Sequence, residues 1–261
     1  MRNQPLGTLT IGAGLESSAM ARRWFRAPIN DVYCGMRGFT KEHYERLEQR
    51  CTGMEFATEM IIKSSLRRAA IAEVPITLHP DGRKAHAPHL RTFRDGWRTL
   101  RFFLIYSPRW LFLLPGLLLV LLGLIGYGMA MPGFEVFGLV FDAHTLLFSS
   151  LALICGYQSI LFAISTKVFA ISEGLLPPDP RMERLGRLVT LERALFAGGV
   201  AMLLGIVLLG LAVNRWRVND FGELDYASTM RLVVPGVTVT ALGFQTILTG
   251  FFVSVLGMKR R

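Results

Sequence analysis

The stretch Trp110-Leu-Phe-Leu-Leu-Pro-Gly-Leu-Leu-Leu-Val-Leu-Leu-Gly-Leu-Ile-Gly-Tyr-Gly-Met-Ala-Met131 decides the fold. It carries no charge, and at ~1.5 Å of helical rise per residue it reaches across a hydrocarbon core of ~30 Å. Three more runs repeat the pattern. Thr145 to Thr166 ends at Lys167, Ala194 to Val213 lies between Arg193 and Arg215, and Leu232 to Gly257 lies between Arg231 and the tail Lys259-Arg260-Arg261. Each exceeds the ~18 apolar residues beyond which a buried soluble helix is the weaker explanation. The sequence therefore predicts an all-α membrane domain over 110–261 with four transmembrane helices, about 110–131, 145–166, 194–213 and 232–257. None of the four runs holds an Asp, Glu, Lys, Arg or His. Pumps and proton-coupled carriers need ionisable groups at that depth, so transport is disfavoured.

Composition agrees. Of 261 residues, 51% are hydrophobic and only 18% charged, against roughly 25% charged in soluble domains. That excludes a disordered chain and argues against an ordinary soluble enzyme. The net charge of +10 is uneven: residues 1–109 hold 18 Lys/Arg against 10 Asp/Glu, and residues 110–261 hold 11 against 9. Loop 132–144 has no Lys or Arg, whereas 167–193 has Lys167, Arg181, Arg184, Arg187 and Arg193. Positive-inside logic then places residues 1–109, the middle loop and the tail in the cytoplasm of a cell with this chain in its plasma (inner) membrane. Arg215 and Arg217 in loop 214–231 are the discordant pair. Cys34, Cys51 and Cys155 have no paired spacing, which fits a reducing compartment.

Between the basic head and the first run, Phe93, Trp97, Leu100 and Leu104 recur at four, three and four. They form one helical stripe flanked by Arg91, Arg94, Arg98 and Arg101, the pattern of an amphipathic helix over 92–109 lying in a membrane interface. Within the head, Thr40 is a candidate N-cap for a helix to Gln49, Glu55 to Ala69 reads as a second helix with Met60 and Ser64 on one face, and Ala70 to Leu78 reads as an edge strand interrupted by Pro75. Two helices and a strand bury too little surface to be stable alone, which predicts a poorly ordered head. His79, His86 and His89 lack the short paired spacing of a metal site, and no nucleic-acid motif accompanies the basic charge.

The run Asp31-Val-Tyr-Cys-Gly-Met-Arg-Gly-Phe39 resembles the acceptor-loop motif of family 2 glycosyltransferases of the dolichol-phosphate mannosyltransferase type. Gly53-Met-Glu-Phe-Ala-Thr-Glu-Met60, Ala72-Glu-Val-Pro-Ile-Thr77, Pro80-Asp-Gly-Arg83 and His89-Leu-Arg-Thr-Phe-Arg-Asp-Gly-Trp97 follow in an order similar to the bacterial dolichol-phosphate-glucose synthetase-like branch. The resemblance covers about residues 22–110. It implies that residues 1–91 are an α/β remnant, the C-terminal part of a GT-A-like catalytic domain that binds nucleotide-sugars. It also implies transfer of a sugar from a nucleotide-sugar to a polyprenyl phosphate at the cytoplasmic face. Such an acceptor is already anionic, so the chemistry calls for cations around two phosphate groups more than for a general base. By motif position, Arg37, Cys34, Gly35 and Asp31 would bind the acceptor phosphate. Arg83, Lys84, His89 and Arg91 would bind the donor diphosphate, and Glu55 and Glu59 would line the site as catalytic carboxylates.

The sequence departs from the family in lacking a V-I-P-x-x-N-E start, a D-D-x-S motif and a D-x-D pair. The complete enzyme is expected to use Mg or Mn, yet no metal ligands are assigned here, and the chain alone is expected to be inactive. The implied partners are membrane lipid and polyprenyl phosphate, with the missing N-terminal half as a separate chain and a second copy of this chain as further candidates. Nucleic acid is not among them. The alternative is a non-catalytic membrane scaffold or flippase-associated subunit that keeps only the lipid-phosphate-binding half.

Overall fold

The structure, a computed structural model, describes residues 17–51, 55–76, 92–136, 138–174 and 176–257. The chain divides into two compact units, a head ending at Ser107 and a membrane unit from Pro108 to Arg261.

Among the described residues the head has four helices: α1 over 17–25, α2 Lys41–Leu47, α3 Glu55–Leu66 and α4 Thr92–Tyr106. Thr40 caps α2 as the sequence predicts, its hydroxyl accepting from the His43 amide at 3.2 Å. This satisfies one of the donors left orphaned at a helix start. The helix stops earlier than Gln49, because Glu48 turns into the left-handed region (φ 45°). Helix α3 likewise ends at Leu66, ahead of Arg68 at φ 56°. Met60 and Ser64 are both buried, on the face foreseen.

The expected strand over 70–78 does not form in residues 70–76, which have no regular structure; Thr77 and Leu78 lie outside the described residues. A strand needs a neighbour to complete its ladder, and no described residue of the head pairs with this segment. An α/β remnant is therefore not what the described head displays. Nor do its helices lack a partner. Ala21 and Phe25 of α1, Ile62 of α3 and Phe102 and Phe103 of α4 enclose one apolar core with Ala27, Ile29 and Val32. Phe103 lies edge-on to Trp24 (centroids 6.1 Å) and tilted against Phe25 (5.7 Å).

Helix α4 is thus apolar on two sides. Thr99, Phe102 and Phe103 face the core, while Trp97 (57% exposed) and Leu100 of the expected stripe stay outside it. Leu104 is half-buried, and the Phe93 side chain lies outside the described residues.

The membrane unit opens with a widened turn, Arg109–Leu113, in which the Leu114 amide reaches back to the Arg109 carbonyl. Pro115 has no amide to continue the ordinary pattern, and regular helix α5 resumes over Leu114–Ala130. Then come a two-residue hairpin (β1 Glu135–Val136 antiparallel to β2 Leu139–Val140), α6 Ala143–Ser172, the short α7 Pro180–Leu188, α8 Leu191–Val218 and α9 Tyr226–Leu256. Four helical segments are long and apolar enough to cross a membrane: Arg109–Ala130, Ala143–Ser172, Leu191–Val218 and Tyr226–Leu256. All four predicted spans are present, and the chain is a multi-pass membrane protein.

Three of the helices overrun the apolar stretches, because a helix ends where its caps are rather than where lipid ends. Thr190 caps α8 and Asp225 caps α9, the latter accepting the Ser228 amide at 2.8 Å. Asp142 precedes α6 without capping it; its carboxylate instead meets Arg231 of α9 at 3.3 Å.

Helix α5 packs on α6, α8 on α9, and α6 on α9. Glycines set the spacing of the two outer pairs. A Cβ on Gly116 would lie 2.8 Å from the Gly156 carbonyl, and one on Gly198 would lie 2.8 Å from that of Gly243. Lipid supplies no hydrophobic drive between helices, so such close backbone contact carries the association. A hydroxyl triad joins the pairs: Tyr127 Oη lies 2.7 Å from Ser150 Oγ and 2.9 Å from Thr238 Oγ1, and the last two lie 2.9 Å apart.

Gly205 and Gly210 test this packing against each other. A Cβ at Gly205 would fall 2.6 Å from the Thr240 amide, whereas Gly210 has open space. Gly205→Leu should destabilise the unit by ~1–3 kcal/mol or more through overpacking, and Gly210→Leu should be close to neutral. Thermal unfolding of the two variants in detergent, compared with the native chain, checks the contrast.

Candidate acceptor-phosphate loop

The candidate loop leaves the core at Val32, whose amide donates to Ser18 Oγ of α1 at 3.1 Å. Asp31 is exposed, and its Oδ1 accepts the Tyr33 amide at 2.8 Å and tightens the turn. Tyr33 in turn places its hydroxyl 2.7 Å from Thr99 Oγ1 of α4. Arg37 curls the rest. Its Nε donates to the Cys34 carbonyl at 2.9 Å, one Nη1 hydrogen to the Ala57 carbonyl of α3 at 2.5 Å, and Nη2 to the Val32 carbonyl.

Three of the five guanidinium N–H groups are therefore committed to backbone carbonyls, leaving two for anything else. Burial, opposed by Cys34 and Asp31, pulls the Arg37 pKa down from its ordinary value. Arg37 and Cys34 are half-buried, and Gly35, Met36 and Gly38 are exposed. A Cβ at Gly35 or Gly38 would meet nothing within 4 Å. Among the described residues no partner is found for the amides of Gly35, Met36 and Gly38. The loop thus turns the Val32 and Cys34 carbonyls toward Arg37 and leaves the Gly35, Met36 and Gly38 amides free of protein partners among the described residues, and free amides can bind an anion.

Glu73 holds the other side, and the sequence reading quoted it only as part of a motif. Its carboxylate accepts the Asn30 amide at 2.6 Å, Asn30 Nδ2 at 2.7 Å and the Asp31 amide at 3.2 Å. These bonds hold the Glu73 carboxyl below the usual carboxylate range. A contact spanning 43 residues leaves no local signal in the sequence.

The two carboxylates expected to be catalytic separate. Glu55 is half-buried at the first residue of α3. Glu59 is fully buried and wholly engaged by Lys63 Nζ (2.7 Å), the Arg50 amide (3.1 and 3.0 Å), the Cys51 amide (2.8 Å) and the Tyr106 hydroxyl (3.4 Å). Burial alone would raise the Glu59 pKa, but Lys63 and the amides of Cys51 and Arg50 outweigh it and hold the carboxyl low. Burial and the same carboxylate push the Cys51 thiol up to about 11. Lys63 also donates to the Glu48 carbonyl at 2.7 Å, so the pair ties the end of α2 to α3. This is an internal brace, and it removes Glu59 from the candidate site.

Arg83, Lys84, His89 and Arg91 lie outside the described residues. Among the described residues no three His, Cys, Asp or Glu side chains converge as metal ligands.

Residues 164–257 match the family described as the glycosyltransferase family 2 C-terminal transmembrane region. The chain is 41% identical over 93 residues to the low-salt glycan biosynthesis hexosyltransferase Agl6 of Haloferax volcanii. That stretch is 36% of this chain and 22% of the relative, so the chain spans well under half the length of the curated relative it matches. No solved structure matches the chain.

Two outcomes follow from the brace and the clamp. Lys63→Met should cost the head ~3–5 kcal/mol by stranding the Glu59 carboxylate, and Glu59→Leu combined with Lys63→Met should cost less than the single change. Denaturant unfolding followed through Trp24 fluorescence would measure both. For Glu73, a depressed folded-state pKa means its contribution is present above the ordinary carboxylate pKa and lost as pH falls through the depressed one. Amide exchange at Asn30 and Asp31, corrected for intrinsic rate, should therefore speed up on acidification into that range. Glu73→Gln should abolish the pH dependence.

Proposed function

We propose that this chain forms the acceptor-side and membrane-embedded part of a glycosyltransferase that moves a hexose from a nucleotide-sugar to a polyprenyl phosphate at the cytoplasmic face of the plasma membrane. The observation that carries this reading is the loop 31–38, curled by Arg37 and braced by Glu73, with exposed Gly35, Met36 and Gly38 whose amides have no partner among the described residues. The matches to a family 2 transmembrane region and to a hexosyltransferase support it.

In this reading the loop amides and the two uncommitted Arg37 hydrogens hold the lipid phosphate. One of its oxygens forms the bond to the anomeric carbon as the bond from that carbon to the nucleoside diphosphate breaks, with inversion. The phosphate is ionised at neutral pH and needs no base, which agrees with Glu59 being turned inward. The chain's task is to orient the nucleophile, and correct positioning is a large part of rate in such transfers. The outward Trp97 and Leu100 of α4 suit a helix seated in a bilayer interface, which would keep the head beside its lipid substrate.

The inward commitment of Glu59 also favours a second reading, a scaffold that binds lipid phosphate without catalysing transfer. One experiment separates them. Deleting the gene should remove a lipid-linked hexose from the membranes, and the native chain should restore it. Gly38→Val, which fills open space without a clash, should fail to restore it while still inserting normally. An unchanged lipid-linked hexose pool on deletion would refute the proposal, and full restoration by Gly38→Val would leave the scaffold.

A further inference from the structure

Helix α7 has no counterpart in the motifs discussed above. It occupies the connection between two spans, α6 ending at Ser172 and α8 starting at Leu191. Its N-cap Asp179 accepts the Arg181 amide at 2.9 Å and forms an ion pair with Lys167 of α6. Lys167 lies five residues, ~7.5 Å, before the end of α6 and directly follows its uncharged run Thr145–Thr166. The connection therefore does not project into water. It folds back, with the Leu176 amide bonded to the Ala170 carbonyl at 3.0 Å, to the level where the apolar part of α6 begins. At the other end only Val189 and Thr190 separate α7 from α8, a reach of about 10 Å. Both ends are thus pinned at the boundary between the apolar core and water.

The composition of α7 suits that boundary. Met182, Leu185 and Val189 recur at three and four, as one helical stripe. Met182 and Leu185 are half-buried, Val189 is exposed, and Arg181, Arg184 and Arg187 are all exposed. Among the described residues no helix packs extensively on α7, so its apolar stripe is not occupied by another helix of this unit. Glu183 is its one acidic residue.

We infer that α7 is an anionic-lipid-binding helix, lying along the membrane surface with its three arginines on the phosphate groups of acidic lipids in the bilayer that α6 and α8 cross. The occupant follows from position and charge together: a helix held at that level by spans at both ends meets headgroups before it meets any protein. The inference requires only that α6 and α8 span a bilayer, and it stands apart from the proposed sugar transfer.

The test uses the full chain in nanodiscs of phosphatidylcholine alone and of phosphatidylcholine mixed with phosphatidylglycerol, read by hydrogen exchange over 180–188. Each basic residue at an anionic surface contributes roughly a five-fold factor, so the native helix should exchange about tenfold or more slowly in the anionic discs. The difference should shrink at high salt. Arg181→Gln combined with Arg184→Gln and Arg187→Gln should abolish it. Because that variant can also loosen the helix, the corresponding triple Lys variant serves as the control that keeps the charge, and it should retain the difference. Equal exchange of the native helix in both discs, a lipid dependence that survives the Gln changes, or its loss in the Lys variant would overturn the inference.

Discussion

A guanidinium that cannot lose its proton has been turned into the frame of a loop. Arg37 donates to the carbonyls of Val32, Cys34 and Ala57, and the path of residues 32–38 follows from those three bonds. The carbonyls of Val32 and Cys34 are spent on the cation, while the Gly35, Met36 and Gly38 amides keep no protein partner among the described residues. The clamp depends on α3, which presents the Ala57 carbonyl, and α3 depends on the core it shares with α1 and α4. It also depends on the buried Glu59–Lys63 brace, which fixes α3 against the end of α2. Every charged group in this chain of support serves geometry first.

The membrane unit solves a different problem. Its apolar runs hold no Asp, Glu, Lys, Arg or His, so the backbone satisfies itself in helices and the helices bind one another through glycine contacts and the Tyr127–Ser150–Thr238 hydroxyls. Charge is confined to the ends. Arg231 lies against Asp142. Lys167 is matched by Asp179, whose carboxyl it holds below the ordinary range.

The spans were legible because lipid permits few alternatives: four uncharged runs had to be helices. Their ends were not, since Thr190 and Asp225 set two starts outside the apolar stretches, and α6 continues past Lys167 to Ser172. In the head, the Thr40 cap and the α3 face at Met60 and Ser64 rest on local chemistry and could be read. The strand over 70–78 was misread because a run such as Ala-Ile-Ala-Glu-Val has strand-like composition whether or not a neighbouring strand exists. Helix α1, and with it an ordered core, was missed because Ala21 and Phe25 are too few to stand out before Phe102 and Phe103 meet them. Residue type and motif position single out Arg37. Its direction could not be read, since that is set by a carbonyl twenty residues away, and the partnership of Glu73 with Asn30 is longer still in sequence.

The central claim is that Arg37 shapes the loop and that the Gly35 and Gly38 amides it leaves unpartnered meet a lipid phosphate, as proposed above. Amide and guanidinium resonances of the isotope-labelled chain in nanodiscs, titrated with polyprenyl phosphate and with polyprenol as the uncharged control, test it directly. The account predicts that the Gly35 and Gly38 amides shift with the phosphate alone while Arg37 Nε, already bonded to the Cys34 carbonyl, stays in place. A shift at Arg37 Nε with Gly35 and Gly38 unmoved, or equal responses to the two lipids, would contradict it.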